Sequence, residues 1–399
     1  MQIVNKQTGW LVAVCLLVAA CSSSTQEISV REIVEDLSTD EMLGRDNQST
    51  GAALARTFLV RELDRFADPI APEATGEARY EQEFDSGTNL LAIIPGTDLA
   101  DEYIIIGAHY DGVGNDCEKE NCQDATDEDL IFNAATDNAT AVAIAIDIVR
   151  EIARDPAGGP RRTIILALWD AEEDGLRGSR HFVANPIVPL DKVKAYVNLD
   201  IMGANLTPKL ARTTILVGAE TGGAPLEAAA ARAIEASTLD TLRFSLIFGQ
   251  GRSDHAPFAQ GGVPILFFTD ANSGCYHGVK DDIDIVDFPK LAQQRAAVDA
   301  ILRDLLATDA PPIFSNGALA TYRDAQELLR VMDRAEPDFP LLGPLQAAET
   351  SEFLGVLRGI VAAGPDTFDL SSAGVILGGA ANLVNALTDV PCEPYFPSE

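Results

Sequence analysis

The chain has 399 residues, of which 47% are hydrophobic and 23% are charged. Its 61 acidic and 29 basic side chains give a formal net charge of -32. This apolar content excludes a disordered acidic chain, and the length suffices for one large domain with appendages or for two domains. The negative charge argues against nucleic acid or an anionic lipid surface as a binding partner, because both would be repelled.

The first 21 residues have the pattern of an export signal. Lys6 precedes an apolar stretch at residues 10–20 that is too short to span a bilayer. The segment Val18-Ala19-Ala20-Cys21 resembles a bacterial lipobox, in which Cys21 becomes the lipidated first residue. We therefore expect a lipoprotein signal peptide at residues 1–20 and an exported protein, periplasmic or at the cell surface, that contacts the membrane only through its lipid. An ordinary secretory signal or an uncleaved anchor is the alternative.

A polar tether and a helical lead-in are predicted for residues 21–86. Apolar side chains recur at three- and four-residue spacings over residues 28–66, as on one face of a helix. Gly44-Arg45-Asp46-Asn47 interrupts this pattern and predicts a turn.

From Tyr80 onward, short apolar runs alternate with helical patterns. Strands are predicted at residues 90–94, 103–106, 163–168, 195–199, 214–217, 244–248 and 264–268. Helices are predicted at residues 139–154, 175–184, 226–237 and 291–308. The alternation predicts a three-layer α/β sandwich with a mixed, largely parallel central sheet over residues 87–309.

Residues 310–399 are predicted to form an α-helical C-terminal extension. Helical patterns near residues 318–332, 342–362 and 373–387 are separated by Pro and Gly.

The cysteines predict disulfides, because an exported protein matures in an oxidising compartment. Cys117 and Cys122 bracket a charged loop and are predicted to pair with each other, which leaves Cys275 with Cys392. Four cysteines allow three connectivities, so the other two stay open. A zinc site made of these thiolates is disfavoured, because their spacing is not that of a paired C-x-x-C knuckle.

Polar side chains stand where the predicted strands end or where the next helix begins. The candidates for metal binding or proton transfer are His109, Asp111, Asp137, Glu172, Glu173, Asp200 and His277. Parallel strands end at one edge of an open α/β sheet, so these side chains can meet in one crevice. Carboxylates crowded in this way need a cation, and histidine with carboxylate ligands suits zinc, cobalt or manganese. Two ions that share a bridging carboxylate would use the ligands economically and leave one glutamate for proton transfer.

The order His-x-Asp, Asp-Asn, Glu-Glu, Asp, His resembles the di-zinc aminopeptidase family of the bacterial leucyl aminopeptidase type. Its relatives include glutamate carboxypeptidase, the transferrin receptor and glutaminyl cyclase. The resemblance covers residues 87–308, and Leu43-Gly44-Arg45 is similar to the family's N-terminal lead-in. It implies a zinc metallo-aminopeptidase, a hydrolase that removes N-terminal residues from peptides with a free N-terminus.

The resemblance also implies a role for each candidate residue. One zinc ion would be bound by His109, Asp137 and Asp200. The second would be bound by Glu173 and His277 and would share Asp137 as the bridging ligand. Asp111 would orient His109. Glu172 would be the general base that accepts a proton from the attacking water and passes it to the leaving amine.

Two segments depart from the aminopeptidase pattern. Residues 135–140 lack its second Asp and its Gly, and residues 276–281 lack the Thr-Pro that follows its histidine. Ser253-Asp254-His255 also resembles a stretch in glutaminyl cyclases, which use a single zinc ion. A single-zinc cyclase that converts N-terminal Gln to pyroglutamate is therefore one alternative. An inactive, peptidase-like binding scaffold is another, although every expected ligand position is filled.

Overall fold

The computed structural model describes residues 27–115, 125–126, 129–156, 158–317 and 319–397. The predicted signal peptide and three of the predicted cysteine sites, Cys21, Cys117 and Cys122, lie outside these residues.

Nine strands form one sheet over the described residues. They are β1 (Asp68–Pro69), β2 (Glu81–Phe84), β3 (Gly87–Ile94), β4 (Leu99–His109), β5 (Arg162–Trp169), β6 (Val193–Leu199), β7 (Thr213–Val217), β8 (Asp240–Phe244) and β9 (Ile265–Thr269). The strand order is β1-β3-β5-β4-β6-β9-β7-β8, with β2 paired to β3. The central strands β5, β4, β6 and β9 are parallel, whereas β3 and β7 join them antiparallel. The predicted mixed, largely parallel sheet is confirmed.

Helices cover both faces of this sheet. They are α1 (Val30–Leu37), α2 (Thr50–Leu63), α3 (Thr140–Ala153), α4 (Arg177–Ala184), α5 (Gly223–Ala236), α6 (His255–Gln260), α7 (Phe288–Ala307), α8 (Tyr322–Ala335), α9 (Pro344–Ala363) and α10 (Leu370–Leu387). Alternate side chains of β4 enter opposite cores, because successive residues of a strand point to opposite faces. Ile104 and Ile106 pack in the core that includes α1, α2, α3, α5 and α7, and Ile105 packs in the core that includes α4, α6, α8, α9 and α10.

The predicted strand at residues 244–248 is wrong. The strand there is β8, which ends at Phe244, and Leu246–Gly249 forms a 3-10 turn. Ser245 donates its amide hydrogen to Asp324 Oδ1 over 2.8 Å and its hydroxyl hydrogen to Oδ2 over 2.8 Å. Asp324 of α8 thus accepts the hydrogen bond that the Ser245 amide would otherwise donate to a neighbouring strand. The β-ladder therefore ends at Phe244, although the residues that follow are mostly apolar.

The C-terminal helices α8, α9 and α10 pack on the sheet rather than away from it. Leu328 of α8, Leu354 of α9 and Ile376 of α10 belong to the same buried cluster as Val217 of β7. By length and apolar composition α10 could also cross a membrane, although 28% of its residues are buried inside the protein. The buried residues include Ala373, Ile376 and Ala380, which face the second core.

A capping box begins α8 and provides a test of its contribution to stability. The hydroxyl of Thr321 accepts a hydrogen bond from the Asp324 amide, and the Asp324 carboxylate accepts one from the Thr321 amide. We expect Thr321→Ala to lower the free energy of unfolding by about 1 kcal/mol, because the substitution removes both hydrogen bonds that the Thr321 hydroxyl makes with Asp324. Chemical denaturation measures the loss. The control is Ser351→Ala, which removes an exposed hydroxyl from within α9. An equal loss in both variants would contradict this role of the cap.

Candidate metal centre

The ends of three central strands and the loops that follow the strands bring the predicted residues together. His109 is the last residue of β4, and Asp200 directly follows β6. Glu172 and Glu173 follow β5, and His277 lies in the loop after β9. Asp137 lies in the turn before α3. The predicted crevice at the carboxyl edge of the sheet is therefore present.

His109 and two carboxylates form one half of the crevice. His109 Nε2 lies 3.1 Å from Asp137 Oδ1 and 3.3 Å from Asp200 Oδ1. All three side chains are buried. Their closest oxygen and nitrogen atoms lie within 4.8 Å of one another, so a single metal ion could contact all three residues.

His277 and two carboxylates form the other half. His277 Nε2 lies 3.0 Å from Glu173 Oε2 and 3.6 Å from Asp137 Oδ2. Asp137 therefore directs one oxygen toward each histidine. The two halves share this one carboxylate, as the sequence predicted for a bridging residue.

Asp111 lies behind His109 and contacts the backbone of both glutamates. The amide of Glu172 donates to Asp111 Oδ1 and the amide of Glu173 donates to Oδ2, each over 3.2 Å. His109 Nδ1 lies 3.2 Å from the Asp111 carbonyl oxygen and 3.5 Å from its carboxylate Oδ1. Asp111 thus orients the strand end that carries Glu172 as well as the imidazole of His109.

The crevice holds more negative charge than its histidines balance. Burial raises the pKa of Glu172 well above its usual range, and Asp200 and Glu173 raise it further although His109 opposes them. Burial, followed by the charge of Glu173, raises the pKa of Asp137 to about 6. Burial acts to lower the pKa of His109, but the neighbouring carboxylates outweigh it and raise that pKa. A divalent cation relieves this repulsion, and histidine with carboxylate ligands and no thiolate is a donor set that binds zinc.

Asp281 holds the Asp137 turn in place and was missed in the sequence. The Thr136 amide and hydroxyl donate to Asp281 Oδ1 over 2.9 and 2.7 Å, and the Asp137 amide donates to Oδ2 over 3.1 Å. Burial raises the pKa of Asp281 to about 7, although the hydrogen bonds from Thr136 oppose the shift. The available signal was an acidic residue four positions after His277, within the segment that departs from the aminopeptidase pattern.

Arg45 connects the N-terminal lead-in to the two loops that carry the site. Its Nε donates to the Tyr110 carbonyl, and its two terminal nitrogens donate to the carbonyls of Asn133 and Ala134, each over 2.9 Å. Burial lowers the pKa of Arg45 to about 10, against the raising effect of nearby carboxylates such as Asp281. Its buried positive charge also offsets part of the charge of the crevice.

Gly44 allows the lead-in to approach the loop after β4. The Gly114 amide donates to the Gly44 carbonyl over 3.0 Å, and Gly44 has a φ of +67°. A Cβ atom at this position would lie 2.2 Å from the Gly114 carbonyl oxygen. The turn predicted around Gly44 therefore requires glycine for this close approach as well as for its backbone conformation.

The Cys275–Cys392 disulfide is confirmed, and it joins the C-terminal tail to the loop of a candidate ligand. Its cysteines are separated by 117 residues in sequence. Cys275 lies two positions before His277, and Cys392 follows α10. The C-terminal segment is therefore covalently attached next to the metal centre.

An α/β sheet with this donor set at its carboxyl edge is typical of a metal-dependent enzyme. The chain belongs to peptidase family M28, whose sequence pattern matches residues 89–301. The family relationship predicted from the motifs is confirmed.

Curated relatives of the chain include fungal proteins. A probable zinc metalloprotease of Leptosphaeria maculans is 25% identical over 301 residues, which cover 66% of this chain and 67% of that protein. A probable zinc metalloprotease of Pyrenophora teres is 24% identical over 303 residues, which cover 66% of this chain and 60% of that protein. The chain thus spans about 60 to 67% of the length of these relatives.

Solved structures share the fold. The LapA aminopeptidase of Legionella pneumophila matches with a TM-score of 0.54 and 18% identity, over 71% of this chain and 73% of that chain. A glutaminyl cyclase of Porphyromonas gingivalis matches with a TM-score of 0.52 and 19% identity, over 69% of this chain and 96% of that chain. The predicted α/β class is confirmed, and both reactions considered from the sequence occur on proteins of this fold.

Replacing Asp281 tests whether the support behind Asp137 affects metal binding. We expect Asp281→Asn to weaken zinc binding by about 10- to 100-fold. The substitution replaces one carboxylate oxygen, which accepts a hydrogen bond from the Asp137 turn, by an NH₂ group that cannot accept it. Competition with a chelating dye measures the affinity. The control is Asp284→Asn, which changes an exposed carboxylate in the same segment. Unchanged affinity in a folded Asp281→Asn variant would show that the turn does not depend on this carboxylate.

Proposed function

We propose that the protein is a di-zinc aminopeptidase that removes N-terminal residues from peptides with a free amino terminus. The observation that carries the proposal is the position of Asp137 between the two halves of the crevice. Its oxygens lie 3.1 Å from His109 Nε2 and 3.6 Å from His277 Nε2. A carboxylate in that position can bridge two ions, and each half then supplies two further ligands.

Glu172 is the residue proposed to move the proton. Its carboxylate oxygen belongs to a group with His109 and Glu173 in which the ligand atoms lie within 4.8 Å of one another. The two ligand sets built around Asp137 do not require it. Glu172 accepts a proton from the attacking water and delivers it to the leaving amine. Zinc bound by these residues would lower the pKa of a water molecule and would polarise the scissile carbonyl.

Asp111 supports this step through the backbone. Its carboxylate accepts hydrogen bonds from the backbone amides of both Glu172 and Glu173. These bonds fix the backbone of the proposed general base, Glu172, relative to that of the proposed metal ligand, Glu173. Both glutamates then direct their side chains into the same crevice.

Export with a lipid anchor at Cys21 is also part of the proposal. The signal pattern of residues 1–21 supports it. The Cys275–Cys392 disulfide supports export, though not the anchor, since such bonds persist in oxidising compartments. The net charge of -32 favours a peptide substrate over a nucleic acid partner.

Metal content and product identity test this function together. The signal-less protein is purified, and bound zinc is counted per chain by atomic emission. A peptide with a free N-terminus and a second peptide with N-terminal Gln are then supplied as substrates. Two zinc ions with stepwise release of N-terminal residues would support the aminopeptidase. One zinc ion with a pyroglutamyl product would favour the cyclase, and a folded protein that binds no zinc would favour the scaffold.

A further inference from the structure

A cavity of about 160 Å³ opens at the metal centre and continues beneath the C-terminal helices. Asp137, Glu172, Glu173 and Asp200 line the end at which the chemistry takes place. The rest of the cavity lies between the sheet, on β7, β8 and β9, and the helices α8 and α10. The cavity is therefore continuous with the candidate catalytic centre.

The deep part of this cavity is long and apolar. Ile215 and Val217 line it on the sheet side, together with Thr213 at the start of β7. Ile215 is paired with Thr269 at the site end of β9, whereas Val217 is paired with Phe267 further from the site. The run from residue 213 to residue 217 spans about 13 Å at the usual rise of a strand. The cavity is thus deeper than a leucine side chain needs.

Few charged side chains line the cavity outside the metal centre, among the residues that the structure describes. Besides the metal centre they are Asp270, which pairs with Lys290 at 3.1 Å, and the exposed Arg252. Arg252 donates a hydrogen bond of 3.0 Å to Asn385 Oδ1 and so connects the rim to α10. The walls formed by Ile215, Val217 and Leu242 therefore present no charged group to a ligand.

The outer wall comes from a part of the chain that the family pattern does not cover. Val331 of α8 and Ala380 and Val384 of α10 line the cavity, whereas the family match ends at residue 301. Ala380 is 7% exposed and is one of the residues that line the cavity. The small side chain of Ala380 leaves open space at a position where a larger residue would close it.

We infer that this cavity binds the side chain on the acyl side of the scissile bond, and that the preferred substrate carries a long, apolar side chain that extends beyond the length of leucine. Helices α8 and α10 determine the length that is accepted. The inference rests on the proposed peptidase function, because the chain must present a carbonyl group to the metal centre.

A series of substrates that differ only in chain length tests the inference. The zinc-loaded protein is assayed with alanyl, norleucyl, 2-aminooctanoyl and 2-aminodecanoyl p-nitroanilides. We expect kcat/KM to increase about fourfold for each added methylene past norleucine, because each methylene leaves water for an apolar wall. Affinities of the corresponding amino hydroxamates are measured in parallel and test the cavity without hydrolysis.

Variants of the outer wall show whether α10 sets the limit. Ala380→Phe should lower the ratio of kcat/KM for the 2-aminodecanoyl and alanyl substrates at least tenfold, with the same trend in hydroxamate affinity. Val384→Phe narrows the cavity from a second position on α10. It replaces Ala380→Phe in the test if that variant does not fold. The control is Val375→Phe, which adds the same ring to α10 at a residue that is 41% exposed, and should leave the ratio unchanged.

Each outcome separates this inference from the proposed function. Cleavage with a flat length profile, or with a profile that both cavity variants leave unchanged, would overturn the inference and leave the peptidase function standing. Absence of cleavage together with hydroxamate affinities that increase with chain length would support the cavity and contradict the peptidase function. Absence of both would overturn the inference as well.

Discussion

Replacing Glu172 by glutamine should lower kcat for peptide hydrolysis by about 10²- to 10⁴-fold, the range that general acid–base catalysis contributes. Glutamine has nearly the same shape but cannot accept a proton from water. Glu172 is 8% exposed, and the two ligand sets around Asp137 do not need it. Zinc content and the fold should therefore be retained, and steady-state kinetics measures the loss.

The matched control is Asp174→Asn, which neutralises an exposed carboxylate two positions away. It should leave kcat within a factor of two to three of the unchanged protein, since a solvated carboxylate outside the crevice transfers no proton in the reaction. A parallel loss of zinc in Glu172→Gln would contradict the assigned role and identify Glu172 as a ligand, because it also lies in a group with His109 and Glu173.

Removing the Cys275–Cys392 disulfide should lower the free energy of unfolding by about 4 to 5 kcal/mol. The bond closes a loop with a sequence separation of 117 residues, and long loops restrict the unfolded chain most. The double substitution Cys275→Ser with Cys392→Ser avoids a remaining thiol that could pair wrongly. Guanidinium denaturation measures the stability, and chelator competition measures whether the His277 half of the site loses zinc affinity.

The control for the disulfide prediction is the double substitution Cys117→Ser with Cys122→Ser, which removes the other predicted disulfide. That pair would close a much shorter loop, so the expected loss is smaller. A loss from the Cys275 and Cys392 double variant that is no greater than this control would contradict an entropic role for the long loop. Unchanged zinc affinity would show that the bond stabilises the C-terminal segment without positioning His277.

Most elements of the α/β region could be predicted because their apolar runs are long and continuous. The runs at residues 103–106 and 163–168 lie within β4 and β5, which are buried on both faces. Such strands need no alternation of polar residues, so the pattern is clear from local sequence. The run at residues 244–248 has the same composition, but a carboxylate on α8 ends the strand before it.

The candidate site residues were also predictable, since they interrupt apolar strands where polar groups are otherwise costly to bury. His109 and Asp200 stand directly at strand ends, so the parallel order of the strands implies that they meet. Asp281 gave no such signal. Its hydrogen bonds reach Thr136 and Asp137 across separations of 145 and 144 residues, which local patterns do not reveal.

By itself the sequence determined the class of the fold, the family and the candidate metal-binding residues, because periodicity and strand-end polarity are local properties of the chain. Only the tertiary structure decided that Asp281 holds the turn of Asp137, that Arg45 joins the lead-in to the site loops, and that α8 and α10 line the cavity. Each of these depends on contacts between distant segments, and their geometry is set by how the helices pack on the two faces of the sheet.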